Sequence, residues 1–137
     1  MGGRITPRFG NTAGIRRIAL RIIFSFYALF IIIFPYIVSS GTSHSTFPWD
    51  NLWHFSAYLL LPLFLYLAFL QDKENPYFLI ILFGILWGFT DESLQRFSPH
   101  RFFEIKDLIL DFWGVGMGGW LVFILRELKG VRVWERN

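Results

Sequence analysis

Nine polar side chains in an otherwise apolar chain have the types and spacing to do chemistry together: Asp50, His54, Tyr58, Asp91, Glu92, Gln95, Arg101, Asp107 and Asp111. Asp50, His54 and Tyr58 recur every four residues, which lays them along one face of a helix. Asp91, Glu92 and Gln95 close one apolar run, Asp107 and Asp111 open the next, and Ser98-Pro99-His100-Arg101 lies between. Such a set can bind a polar group by hydrogen bonds and charge. It can also run acid/base chemistry, for which His54, Asp91 and Glu92 are the catalytic candidates, or pass protons or ions. No catalytic role is assigned on sequence, because there is no nucleophilic Ser-His pair, no Gly-rich phosphate loop and no cysteine. His54 with the carboxylates is a borderline ligand set for a divalent ion, and no metal and no cofactor are assigned.

The solvent around these groups follows from composition. The chain has 137 residues, room for one domain. It is 54% hydrophobic and 20% aromatic. Charged residues make up only 17%, against about 25% in an ordinary soluble domain. The net charge of +3 does not point to nucleic acid, because the basic residues cluster at the two termini beside apolar segments. Membrane lipids are therefore the expected surroundings.

Four spans are expected, at about 18–38, 51–70, 77–97 and 108–125. The first holds Arg21 as its only charge, near enough to an end to snorkel. Its apolar run exceeds the roughly 7 to 15 residues of a signal-peptide core, so it reads as a retained anchor. Residues 39–49 form a polar loop without Lys or Arg, and 71–76 are short enough only for a tight turn. Residues 1–17 and 126–137 read as basic tails around a transmembrane domain over 18–125. Trp49, Trp53 and Trp134 read as interfacial anchors, and Trp87, Trp113 and Trp120 as packing or lipid-contacting residues.

Orientation comes from the basic residues. Arg4, Arg8, Arg16, Arg17, Arg21, Lys73, Arg126, Lys129, Arg132 and Arg136 fall on one face, and Arg96, Arg101 and Lys106 on the other. That imbalance predicts an all-α membrane protein of four transmembrane helices with both termini cytoplasmic. The nine polar residues then lie at similar depth toward the outer leaflet. Small residues suggest the packing: Gly84 and Gly88 continue the stripe of Asp91 or Glu92 and Gln95, while Gly114 and Gly118 continue that of Asp107 and Asp111. Gly-xxx-Gly lets helix backbones approach closely in lipid. The expectation is that the third and fourth helices pack on these glycines and leave the acids facing a wider outer cleft, with Arg101 compensating the carboxylates.

The pattern Asp50, His54-Phe55, Tyr58, then Gly88-x-x-Asp91-Glu92-x-x-Gln95-x-Phe97-x-Pro99-x-Arg101, then Asp107-x-x-x-Asp111-x-x-Gly114 resembles the VanZ-like family of small polytopic bacterial membrane proteins. The resembling core runs over 50–119. Asn51 stands where the family often has Lys, and Asp111 where it often has Asn, so the set is more negative than the family norm. The resemblance implies a multi-pass protein of the bacterial cytoplasmic membrane, part of the cell envelope, in a family named for low-level resistance to the glycopeptide teicoplanin.

Three functions stay open on the sequence. One is capture of a lipid-linked or cell-wall-related ligand, the second is a membrane-embedded enzyme acting on a lipid or phosphate ester, and the third is proton or ion movement through the acids. The third ranks last because the other halves of these helices are apolar apart from glycine. Each residue also has a plainer account. Asp50 can be a helix-start carboxylate favoured by the helix dipole, and the acids can form structural pairs with Arg101, Gln95 or Tyr58.

Overall fold

The computed structural model describes residues 12–39, 49–97 and 104–134, and four long helices account for nearly all of them. Helix α1 covers Thr12–Ser39, α2 Trp49–Leu65, α3 Tyr77–Gln95 and α4 Ile105–Trp134. Helix α2 continues without a break into a π-helical turn at Tyr66–Leu70. All four are long and apolar enough to cross a membrane, because at about 1.5 Å per residue some 20 residues span the hydrocarbon layer. Strands are absent among the described residues. Long apolar segments in lipid must satisfy every backbone group internally, and a helix does so within itself.

The helices run beyond the predicted spans. Helix α1 begins at Thr12 rather than 18, and α4 begins at Ile105 and continues to Trp134 rather than stopping at 125. Charge ends a hydrophobic span without ending a helix, since Lys, Arg and Glu are all good helix formers. Helix α3 stops at Gln95, slightly short of the expected 97.

One end of the bundle is marked by basic contacts to the turn between α2 and α3. Arg17 of α1 pairs with Asp72 at 3.2 Å, and Arg126 of α4 donates to the Glu74 carbonyl at 2.9 Å. Arg21 reaches the Ala68 carbonyl and lies over the Phe69 ring. The start of α1, this turn and the latter part of α4 therefore lie together. The start of α2, the end of α3 and the start of α4 lie at the opposite end.

The closest helix pair is α2 with α4, and glycine sets it. A methyl added at Gly118 would lie 2.3 Å from the Leu59 carbonyl oxygen and 2.9 Å from Pro62 Cγ, and one at Gly114 would lie 2.7 Å from the Phe55 carbonyl oxygen. Only a residue without Cβ permits this approach. The expected pairing of α3 with α4 through both glycine stripes is thus corrected: the α4 glycines receive α2, with buried Pro62 seated on Gly118. On α3, Gly84 accommodates Val115 of α4, at 2.5 Å from an added methyl. Helix α1 packs mainly through aromatic rings, Phe24 against Phe69 and Phe83, Tyr27 against Phe64, and Phe30 and Phe34 against Trp53. Tyr27 also donates its hydroxyl to the Ala57 carbonyl of α2 at 2.8 Å.

Candidate functional site

The polar residues of α2, α3 and α4 meet at the end of the bundle away from the 71–76 turn. His54, Asp91, Glu92 and Asp111 are 0% exposed, Gln95 is 1% and Asp107 4% exposed, and Tyr58 is fully buried with them. An enclosed polar core therefore replaces the expected open cleft. Glycine again supplies the reason. Gly88 lies one turn before Glu92, and a methyl there would sit 3.3 Å from Asp111 Oδ2 and 3.5 Å from the Tyr58 ring. Gly114 lies under Tyr58, whose Cβ would be 2.9 Å from an added methyl. Small residues beside the acids let the three helices approach one another at the level where the sequence suggested they would spread.

His54 occupies the middle. Its Nδ1 lies 2.9 Å from Asp111 Oδ1, and since an ionised carboxylate can only accept, Nδ1 is the protonated nitrogen and donates. Its Nε2 points away from Asp111 toward Glu92 Oε1 at 4.0 Å and Asp107 Oδ2 at 3.8 Å. Neither separation is a hydrogen bond, and Nε2 and Glu92 Oε1 are both buried without a hydrogen-bond partner. Glu92 is held by its other oxygen, Oε2, which accepts the Glu104 backbone N–H at 3.2 Å. Glu104 immediately precedes α4, where its carbonyl accepts from Asp107 and Leu108. The beginning of α4 thereby orients a carboxylate on α3.

A second branch runs through Tyr58, which donates to Asp91 Oδ2 at 3.2 Å. Asp91 Oδ1 and Asp111 Oδ2 remain buried and unbonded. Leaving a buried polar atom unpaired costs about 1–3 kcal/mol, so the core carries several acceptors that the described residues do not satisfy. Lys106 stands at its margin, exposed, with Nζ 3.9 Å from Asp107 Oδ1.

Of the nine residues singled out by sequence, seven converge: His54, Tyr58, Asp91, Glu92, Gln95, Asp107 and Asp111. The backbone of Asp50 lies in the first turn of α2, one turn before His54. Arg101 and its expected compensation of the carboxylates lie outside the described residues. Two contributors were missed. Glu104 acts through its backbone N–H, which no side-chain pattern reveals. Gly88 reads on sequence as part of a packing stripe, although its position three residues before Asp91 places it beneath the site. Two surface grooves, one lined by Tyr77, Ile80, Gly119, Trp120 and Phe123 and the other by Ile109, Phe112, Trp113 and Met117, are apolar and lie away from the polar core. Trp113 and Trp120 are exposed and suited to lipid contact.

The residues that define this core are those whose spacing carried the family resemblance. Neither the curated proteins nor the solved structures yield a match to the chain. The family model described as VanZ/LLP1 matches residues 8–126, which takes in the first three candidate membrane spans, most of the fourth and every residue of the polar core. This multi-pass membrane protein belongs to the VanZ/LLP1 family.

Proposed function

We propose that the protein resides in the bacterial cytoplasmic membrane with both termini on the cytoplasmic side, and that its polar core captures the head of a lipid-linked, cell-wall-related ligand near the outer leaflet. A contribution to glycopeptide resistance of the teicoplanin type follows from that capture. The observation that carries the reading is the set of buried, unbonded acceptors Asp91 Oδ1, Glu92 Oε1 and Asp111 Oδ2. Intramembrane acids are costly to insert, and when enclosed they mark a pathway or a site. Their chemistry favours a head that brings hydrogen-bond donors, such as hydroxyl, amide or ammonium groups. A bare phosphate facing four carboxylates would be repelled. Ion movement is less well supported, because beyond Tyr58 the helix passes through Leu61, Pro62 and Leu65, all buried and apolar.

Acid/base chemistry on the captured head is a second reading, supported by the His54 geometry. One ring nitrogen is held by Asp111 and the other is directed into the core, the arrangement by which a carboxylate orients a general base. One experiment addresses both readings. The full chain in lipid nanodiscs is incubated with native lipid extract and lipid-linked cell-wall precursors, and bound and released species are identified by mass spectrometry. Capture predicts a retained lipid species lost in Asp91→Asn and Glu92→Gln. Catalysis predicts a new product lost in His54→Ala. If neither appears, and both acid variants at normal protein levels leave glycopeptide susceptibility unchanged, the acids are structural.

A further inference from the structure

We propose that the core is a binding site for one divalent transition-metal ion of the zinc or manganese type, held by His54 Nε2, Glu92 Oε1 and an Asp107 carboxylate oxygen. The three residues come from α2, α3 and α4, so the ion would tie together three helices.

Three independent features point to a cation. The first is donor geometry. His54, Glu92 and Asp107 each place one ligand atom within 4.8 Å of the others, and His54 Nε2 lies 4.0 Å from Glu92 Oε1 and 3.8 Å from Asp107 Oδ2. Donors about 2.0–2.2 Å from a tetrahedral ion stand roughly 3.3–3.6 Å apart. Closing the two histidine–oxygen separations to that range takes a few tenths of an ångström. The separations are too long for direct hydrogen bonds and suit atoms that share a central partner.

The second feature is the orphaned histidine nitrogen. His54 is 0% exposed, and its Nε2 has no hydrogen-bond partner. In the neutral ring with its proton on Nδ1, Nε2 presents a lone pair, which hydrogen-bond donors or a metal can use but neighbouring carboxylates cannot. The third feature is the support around the ligands. Metal-binding histidines characteristically donate their other N–H to a carboxylate, and ligating carboxylates are themselves held by hydrogen bonds. His54 donates Nδ1–H to Asp111 at 2.9 Å, and Glu92 accepts the Glu104 N–H on the oxygen that faces away from the site. The alternative grouping of His54 with Asp91 and Asp111 is less suited. In it, Asp111 is already engaged by Nδ1 and Asp91 by the Tyr58 hydroxyl.

Electrostatics agrees with the geometry. Asp91, Glu92, Asp107 and Asp111 are all buried around one imidazole, and buried charges persist when they are paired or coordinate a metal. One imidazole nitrogen with carboxylate oxygens suits zinc or manganese better than calcium or magnesium, which prefer oxygen alone. Three protein ligands leave a position open to a further group. An ion there would also let the core accept a phosphate or carboxylate that the acids alone would repel.

The test uses the full chain purified in detergent, stripped with chelator and passed through desalting. Zn²⁺, Mn²⁺ and Mg²⁺ are then added separately, and metal content and thermal unfolding are measured. The proposal predicts one equivalent of Zn²⁺ or Mn²⁺ per chain, an upward shift in unfolding temperature and little response to Mg²⁺. Glu92→Gln should weaken binding at least tenfold, while Asp72→Asn, at the opposite end of the bundle, should leave it unchanged. Pulsed electron paramagnetic resonance of the Mn²⁺ form gives a readout that a merely structural role would not move. A coupled imidazole nitrogen should be present in the parent chain and lost in His54→Gln. If His54→Gln does not fold, the nitrogen coupling in the parent chain and the Glu92→Gln titration still decide. Absence of stoichiometric Zn²⁺ or Mn²⁺, or full retention in Glu92→Gln with no nitrogen coupling in the parent, overturns the proposal. The proposal stands apart from ligand capture: metal binding with unchanged drug susceptibility in site variants would sink the functional reading alone, and the converse result would sink the metal alone.

Discussion

Replacing Gly118 by alanine should damage both the stability of the bundle and its polar core, although Gly118 is about two helical turns from Asp111, the nearest core residue on its own helix. The added methyl would lie 2.3 Å from the Leu59 carbonyl oxygen and 2.9 Å from Pro62 Cγ, where ordinary contact begins near 3.4 Å. One obstacle is backbone and the other is a buried proline ring, so no side-chain rotation relieves the clash. Helices α2 and α4 must part by about 1 Å, a gap that forfeits a quarter to a half of each affected van der Waals contact. Overpacking of this kind costs about 1–3 kcal/mol. The same displacement would stretch the 2.9 Å bond between His54 on α2 and Asp111 on α4 beyond hydrogen-bond range. The control is Gly116→Ala on the same helix, where an added methyl meets nothing within 4 Å. Alanine's helix propensity there contributes up to about 1 kcal/mol of stabilisation. Reversible unfolding in detergent or bicelles measures both variants. If Gly118→Ala and Gly116→Ala differ by less than about 0.5 kcal/mol, the close approach of α2 to α4 is not what holds the bundle together.

Other expectations follow from single contacts. Tyr58→Phe removes the hydroxyl bonded to the buried Asp91 Oδ2; it should cost about 1–3 kcal/mol in the same unfolding assay. Tyr27→Phe removes one bond from α1 to the Ala57 carbonyl and should cost about 0.5–1.5 kcal/mol. It should leave drug susceptibility and ligand retention intact, because Tyr27 lies outside the polar core. A reporter fused after Asn137 should be active only on the cytoplasmic side, and activity on the outer side would overturn the proposed orientation.

The membrane character of the chain and the location of its polar set were determined by the sequence alone. Hydropathy is a property of local composition, and it delimits four spans whatever they pack against. Helical periodicity did the same for His54 with Tyr58 and for Asp107 with Asp111, since positions four apart share a face in any helix. Alternating direction through the bundle then sufficed to bring the start of α2, the end of α3 and the start of α4 to one end. Helix ends were less legible. The basic residues of α4 close the apolar span near 125, yet the backbone stays helical to Trp134 because nothing in Arg126, Glu127 or Lys129 opposes it.

Tertiary structure decided the partners. Glycine announces that a backbone can come close, but which backbone arrives depends on how each helix is rotated and tilted against the others. Gly114 and Gly118 therefore read on sequence as a seat for α3, and in the fold they hold Phe55, Leu59 and Pro62 of α2. The same rotation closed the acids into a core, because Gly88 and Gly114 flank them at the level of Asp111 and Tyr58. It also divided the carboxylates between tasks. Asp111 orients one histidine nitrogen, Glu92 and Asp107 face the other, and a backbone N–H at Glu104 aims Glu92 from the next helix. These assignments rest on ångström-scale distances between helices, which spacing along one helix does not encode.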